Sequence, residues 1–158
     1  MAIYMKFGSI KGAVTTQGYK DWIELISFSW GVGRNIGTAA RGYSLRESSE
    51  PSISEITITK FTDVSSPKLF QEALAGKMDT KVVIAFTTTT KNTVTDYLKY
   101  ELTDIGVSQY GLSSGGEVPV ETFALNFAKI SVTFKSHDPG ISGTPETVGY
   151  DLTLMKVT

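Results

Sequence analysis

The chain has 158 residues, of which 41% are apolar and 20% are charged, and its net charge at pH 7 is −1. This length and composition predict one globular domain, residues 1–158, with a hydrophobic core of its own. The near-neutral charge disfavours nucleic acid as a partner, because such a partner selects a basic face. The absence of cysteine excludes disulfides and thiolate metal sites, and no apolar run is long enough to predict a membrane span.

The first segments of the chain have the alternation that is typical of β-strands. Ile3, Met5 and Phe7 share one face of the first strand. This N-terminal stretch is too short and too interrupted for a signal peptide, so we expect no cleaved signal. In the next strand, residues 22–30, the even positions are apolar, whereas the odd face becomes polar at Ser27 and Ser29.

Residues 31–50 break the strand pattern and predict an extended loop. Four glycines and three arginines fall in or near its first two thirds. Its G-x-G-x-x-x-G spacing departs from the dinucleotide-binding fingerprint, and no helical pattern follows it. A loop of about twenty residues is unusual in a compact domain. Two interpretations remain open, namely a mobile arm that becomes ordered on a partner surface and a plain flexible hairpin loop.

One helix is predicted at about residues 66–75. Asp63 or a serine can cap it, Pro67 suits its first turn, and Gly76 can end it. Its apolar residues, which recur at helical spacing, are Leu69, Phe70, Ala73 and Leu74. A helix of ten residues is too short to be stable alone, so we expect this stripe to pack against the strands.

The longest strand signal covers residues 121–134, which we predict to be the central strand. Its apolar residues move from odd to even positions between Phe127 and Ala128. Either a bulge or burial on both faces accounts for this change. Together with the other alternating segments, the pattern predicts seven or eight strands and one helix, in an antiparallel barrel or sandwich.

The sequence contains no recognisable catalytic motif. Its one histidine, His137, lies in a predicted loop. One histidine without cysteine gives neither a Ser-His-Asp triad nor a zinc site of usual composition. A carboxylate pair among the sixteen acidic residues stays open. We therefore expect no enzyme, no catalytic residue, no metal and no cofactor, which favours a binding or structural role.

Several ordered motifs resemble the Hcp (haemolysin-coregulated protein) family, the inner-tube proteins of the bacterial type VI secretion system. The most specific motif is Glu121-Thr-Phe-Ala-Leu-Asn-Phe-Ala128, followed by Val132-Thr-Phe134. Ile58-Thr-Lys-Phe-Thr-Asp63 leads into Ser65-Ser-Pro-Lys-Leu69, and Ser114-Gly-Gly-Glu117 follows later. The resemblance extends over nearly the whole chain.

The resemblance implies a mainly β fold, an antiparallel β-barrel of two packed sheets with one flanking short helix. It also implies homohexameric rings that stack into a tube inside a contractile sheath, below a VgrG-like spike protein. Effector proteins would be carried or chaperoned in the lumen. The protein would be cytoplasmic before firing and then be secreted to the extracellular space or a target cell.

Residue roles follow from the same resemblance. The loop at 31–50 is similar to the family's extended loop, which reaches the adjacent ring. The charged residues that would form inter-ring or inter-subunit pairs are Arg34, Arg41, Arg46, Glu47 and Glu50. Ser27 and Ser29 are the candidates for contact with cargo at the lumen wall.

Two alternatives remain beside this interpretation. A phage tail-tube protein resembles Hcp in fold and ring assembly, and neighbouring sheath or capsid genes would distinguish it. A small-ligand carrier barrel belongs to a different class. It would be monomeric with an apolar interior pocket, so the mass in solution distinguishes it from a ring.

Overall fold

The computed structural model describes residues 1–37, 50–136 and 143–158. These residues are mostly in antiparallel strands with one short helix, which confirms the mainly β prediction. In chain order the elements are β1 (Ala2–Phe7), β2 (Ile23–Leu25), β3 (Ser27–Ser29), β4 (Val32–Gly33), β5 (Ser52–Ile53), β6 (Ile56–Phe61), α1 (Ser66–Ala75), β7 (Thr80–Thr90), β8 (Thr93–Ser113), β9 (Val120–Asn126), β10 (Lys129–Phe134), β11 (Glu146–Asp151) and β12 (Lys156–Val157).

Ten of these strands form two antiparallel sheets that share β8. The long sheet has the order β12-β11-β10-β8-β7-β1-β2, and the short sheet has the order β3-β6-β9-β8. The remaining two strands, β4 and β5, pair with each other as a separate ribbon.

The chain crosses from one sheet to the other at two places. In β8, residues up to Ile105 pair with β7 and residues from Gly106 pair with β9, and Asp104 at this crossing has a φ of 56°. Between β2 and β3 only Ile26 intervenes, and its N–H donates to the Thr59 carbonyl at 2.7 Å. Because the two crossings join the sheets on both sides, the sheets wrap around one common core, as a barrel does.

The predicted central strand at 121–134 is in fact two strands in different sheets. β9 pairs with β6 and β8 in the short sheet, whereas β10 pairs with β8 and β11 in the long sheet. The change of apolar register at Phe127 and Ala128 therefore marks a change of sheet and not a bulge. Burial on both faces does occur, but within β9, where the consecutive residues Phe123, Ala124 and Leu125 are all buried. The strand that organises the fold is β8, which belongs to both sheets.

The core lies between the inner faces of the two sheets. Many core side chains are direct cross-strand neighbours, such as Met5 with Ile84 and Ile58 with Phe123. Its buried residues are Met5, Phe7, Ile23, Leu25, Ile56, Ile58, Leu69, Val82, Ile84, Leu102, Ile105, Phe123, Leu125, Phe127 and Ile130.

Helix α1 has the predicted bounds but buries less than its apolar stripe suggested. Pro67 lies in its first turn, and the Gly76 N–H donates to the Glu72 carbonyl at 3.0 Å where the helix ends. Of the predicted stripe only Leu69 is fully buried, whereas Phe70 is 45% and Leu74 is 70% exposed. The helix lies beside β8 with one row of side chains inward, so helical spacing overestimated the buried face.

Candidate functional site

Two rows of uncharged, mostly small side chains lie on the outer face of the short sheet. Ser27 and Ser29 are both exposed on β3, at the positions that the alternation predicted. Each serine begins a row of side chains that runs across the sheet, because paired residues of an antiparallel ladder share a face. The row through Ser27 consists of Ser27, Thr59, Thr122 and Gly111, and the row through Ser29 consists of Ser29, Thr57, Ala124 and Gln109.

Two hydroxyl groups on this face, those of Ser27 and Thr59, bond to each other. The Ser27 Oγ and the Thr59 Oγ1 lie 2.5 Å apart. The acidic group at the margin of the face, Glu55, accepts hydrogen bonds from Ser108 at 2.6 Å and from Asn126 at 3.4 Å. The two rows therefore present hydroxyl, amide and methyl groups without fixed charge.

Sequence reasoning identified the serines of this face but missed its threonines. Thr57 and Thr59 alternate with buried isoleucines in β6, and Thr122 lies between buried Glu121 and Phe123 in β9. The same period of two that exposed Ser27 and Ser29 could have identified these threonines. Only the register shows that the four strands bring them side by side.

Both lateral edges of the short sheet are open in the described part of the chain. β3 pairs on one side with β6, and residues Gly106–Ser113 of β8 pair on one side with β9. Neighbouring strands of this sheet are antiparallel throughout, so β3 and β8, three strands apart, run in opposite directions. An open edge presents unpaired N–H and C=O groups, which makes it a template for pairing with another chain.

The predicted loop at 31–50 begins and ends beside a two-stranded ribbon. β4 pairs with β5, the Ser54 N–H donates to the Gly31 carbonyl at 2.9 Å, and the Gly31 N–H donates to the Ser54 hydroxyl at 2.8 Å. The exposed side chains of Arg34 and Glu50 line one groove beside this ribbon. Arg41, Arg46 and Glu47, the other predicted arm residues, lie outside the described residues, as does His137.

An apolar groove lies between the β4–β5 ribbon and the β10–β11 end of the long sheet. Its lining includes Trp30, Val32, Ile53, Val132, Val148 and Tyr150. The short sheet has only four strands, so it leaves this end of the long sheet's inner face uncovered. The groove is open at the surface, whereas a carrier barrel would enclose its ligand between the sheets, where this chain has packed core side chains.

Titratable groups of the described chain show no cluster for metal binding. No group of three or more histidine, cysteine, aspartate or glutamate side chains could hold a metal ion within residues 1–37, 50–136 and 143–158. Burial, with the neighbouring Asp96 carboxylate, raises the pKa of Tyr19 to about 12. Burial, with the hydrogen bond to Glu121, also raises the pKa of Tyr110. The described helix is too short and too polar to cross a membrane.

Fold and surfaces together define an antiparallel β protein whose short sheet has two open edges in the described residues and two uncharged rows on its outer face, a class suited to assembly by sheet joining. The model of the family described as "Type VI secretion system effector, Hcp" matches residues 4–134, so the chain belongs to the Hcp family. The resemblance read from the sequence motifs is thereby confirmed. No curated protein matches the chain in sequence.

Solved structures of the same system share the fold. A type six secretion system protein is 24% identical, with 99% of each chain covered and a TM-score of 0.88. Hcp1 from Salmonella typhimurium is 22% identical, covers 99% of this chain and 98% of its own, and has a TM-score of 0.76. A type VI secretion system effector from Yersinia pestis is 18% identical, with coverages of 94% and 98% and a TM-score of 0.75.

Proposed function

We propose that this Hcp protein is the ring-forming subunit of a type VI secretion tube and that its rings close through the edges of the short sheet. The observation that carries the proposal is the pair of open edges, β3 and the Gly106–Ser113 part of β8, at opposite sides of one sheet. A ring closed by rotation joins two different patches of each subunit. The two edges are different, as such a joint requires, and because they run in opposite directions the strands at the joint would pair antiparallel.

Edge joining assigns the uncharged face of the short sheet to the lumen. Six copies of the short sheet would close into one continuous barrel, with the rows through Ser27 and Ser29 on its inner wall. Effector proteins with different surface charges would meet hydroxyl and amide groups there. Such a wall holds cargo weakly and without selecting one sign of charge.

The ribbon β4–β5 and the loop that it supports are proposed to contact the adjacent ring. Arg34 and Glu50, beside the ribbon, would pair with opposite charges of that ring, together with Arg41, Arg46 and Glu47. Stacked rings would form a tube inside a contractile sheath, with a VgrG-like spike protein at its tip. The protein would move from the cytoplasm to the extracellular space or a target cell by this route.

The proposed role is structural and needs no catalysis, metal or cofactor. The cargo face carries hydroxyl, amide and methyl groups.

Light scattering of the purified protein tests the ring. The expected mass is six times the chain mass of 17.1 kDa. On dilution, the measured mass should fall to that of one chain, and no stable dimer should appear on the way. The reason is that a heterologous interface does not close at two copies. A chain that stays monomeric at the highest attainable concentration would contradict the proposal.

A further inference from the structure

Two oppositely charged side chains, Lys60 and Glu121, are completely buried in the short sheet. Both are 0% exposed, and they face each other across paired strands β6 and β9. The Lys60 Nζ lies 2.7 Å from the Glu121 Oε2. This position lies at the opposite end of β6 from the open groove, on the inner side of the sheet.

The pair is the centre of a network that ties five chain segments together. Glu121 accepts hydrogen bonds from the Tyr110 hydroxyl of β8 at 2.9 Å and from the Ser66 hydroxyl of α1 at 2.7 Å. Lys60 donates to the Ser66 hydroxyl at 3.2 Å and to the Phe61 carbonyl at 2.8 Å, and it pairs with the Asp63 carboxylate at 3.0 Å. Every buried polar side-chain atom of the described residues has a hydrogen-bond partner.

Helix α1 depends on this network for its attachment. It is only ten residues long, its N-cap residue Ser65 makes no side-chain capping bond to it, and it has no acidic residue in its first turn. Ser66 and Leu69 are its buried residues. Ser66 is therefore the point at which the buried charges hold the first turn, while Leu69 supplies the apolar contact.

Stability alone does not account for a buried ion pair at this position. Desolvation of two charges offsets most of their attraction, and a well-packed apolar pair of similar volume holds a sheet at least as well. An apolar pair would, however, leave the Ser66 hydroxyl without an acceptor. What the ion pair adds is a directional bond to the start of α1.

The position of α1 matters because the helix borders an open edge of the short sheet. The Phe70 and Tyr110 rings lie 5.3 Å apart, and Tyr110 belongs to the unpaired edge of β8. Beyond the helix, the Met78 side chain lies against Gly106, the first residue of that edge. A helix that moved outward from this position would obstruct a strand arriving at the edge.

We infer that the Lys60–Glu121 pair is a positioning device that fixes α1 beside the β8 edge and so keeps this edge accessible for ring assembly. The inference rests on the proposed function, since it concerns the edge through which rings are proposed to close. It assigns the buried charges to the geometry of assembly and not to the stability of the monomer.

The test is the double substitution Lys60→Met with Glu121→Leu, which removes both charges and keeps apolar volume. The matched control, Lys81→Met with Glu101→Leu, removes an exposed pair whose charged atoms lie 3.8 Å apart in the long sheet. Light scattering reports ring mass. Hydrogen exchange, measured at a dilution at which the proteins are monomeric, reports the attachment of α1.

The double variant should melt cooperatively, yet its α1 amides should exchange about tenfold faster or more than those of the wild type, because local opening becomes easier. Its mass should fall to one chain where the wild type and the control form rings. Unchanged α1 exchange would overturn the positioning role, and rings formed as in the wild type would overturn the link to assembly. If the wild type itself forms no rings, the proposed function and the link to assembly fail, while α1 exchange still decides the positioning role.

If the double variant does not fold, single substitutions of Ser66 provide a second test. Ser66→Ala leaves both charges paired and cuts their bond to the helix, and Ser66→Thr restores a hydroxyl at the same place. Faster α1 exchange and loss of rings in Ser66→Ala, with recovery in Ser66→Thr, would support the inference. Equal behaviour of Ser66→Ala and the wild type would refute it.

Discussion

Substitution of Lys60 alone by methionine should destabilise the protein far more than removal of the whole ion pair. Lys60→Met leaves the Glu121 carboxylate in a site that is 0% exposed, without its cation at 2.7 Å. The hydrogen bonds from Tyr110 at 2.9 Å and Ser66 at 2.7 Å remain. These two donors partly stabilise the unpaired Glu121 carboxylate. The loss in the free energy of unfolding should therefore lie at the lower end of the range for broken buried ion pairs.

The magnitude follows from that range. Removal of one partner of a buried pair costs about 3–5 kcal/mol in the free energy of unfolding, whereas exchange of both partners for apolar residues is neutral or stabilising. We expect a loss of about 3 kcal/mol for Lys60→Met and of less than ~1 kcal/mol for the double substitution with Glu121→Leu. For a domain of this length, about 3 kcal/mol lowers Tm by roughly 6–12 °C.

Urea denaturation, monitored by the fluorescence of Trp22 and Trp30 at a concentration at which all variants are monomeric, measures these differences. Lys81→Met, at an exposed pair, should change the free energy of unfolding by less than ~1 kcal/mol. A loss below ~1 kcal/mol for Lys60→Met would contradict the expected cost of leaving the Glu121 carboxylate buried and unpaired with a cation. A double variant as unstable as the sum of its single changes would refute it as well, because the two sites would then be uncoupled.

Three further predictions concern the core, the cargo face and a turn. Phe123→Ala, at a position 1% exposed with its ring 5.0 Å from that of Tyr110, should cost about 3–5 kcal/mol by urea denaturation; a loss below ~1 kcal/mol would contradict this packing. Ser29→Glu should reduce retention of a co-expressed effector in pull-downs while the ring mass stays unchanged, with Ser29→Thr as the control, and full retention would count against a cargo role. The hydrogen bond from the Thr153 hydroxyl lowers the pKa of Asp151 below its ordinary 3.8, so Thr153→Val should raise that pKa in an NMR titration. Because the folded pKa is the lower one, the stabilisation from Asp151 is present above pH 3.8 and is lost as the pH falls through the folded value; an Asp151 pKa that is the same in both proteins would contradict the assignment.

Local patterns predicted much of the fold. The alternation of apolar residues placed Ile3, Met5 and Phe7 on the core side of a strand. It also predicted that Ser27 and Ser29 lie on a polar face, because strand periodicity depends only on neighbouring residues. Pro67 and Gly76 bounded the helix for the same reason. The motifs then identified the family over most of the chain.

Features that depend on distant partners were not predictable in this way. The split of residues 121–134 into β9 and β10 depends on β8, which holds one strand in each sheet. Glu121 begins the predicted strand at 121–134, but the cation that it pairs with is Lys60, 61 positions away in the sequence. The exposure of Leu74 depends on how α1 lies against β8, which its helical spacing does not determine.

The predicted loop at residues 31–50 was located from the sequence, but the strand pairing at its base was not. Glycine and the broken strand pattern located it, but its paired base, β4 with β5, involves strands of only two residues. Such short strands carry too few residues for alternation to be recognised.

Cysteine cross-linking can show whether a ring closes through the edges of the short sheet. The chain has no cysteine, so a variant with Ser27→Cys and Gly111→Cys has one thiol at each open edge, at the two ends of one row. A side chain at Gly111 meets no atom within 4 Å. After oxidation, we expect a ladder on a non-reducing gel that ends at six chains, while each single-cysteine variant stays monomeric. A double variant that oxidises only to monomers and random higher aggregates, although its rings are intact by light scattering, would contradict closure through these edges.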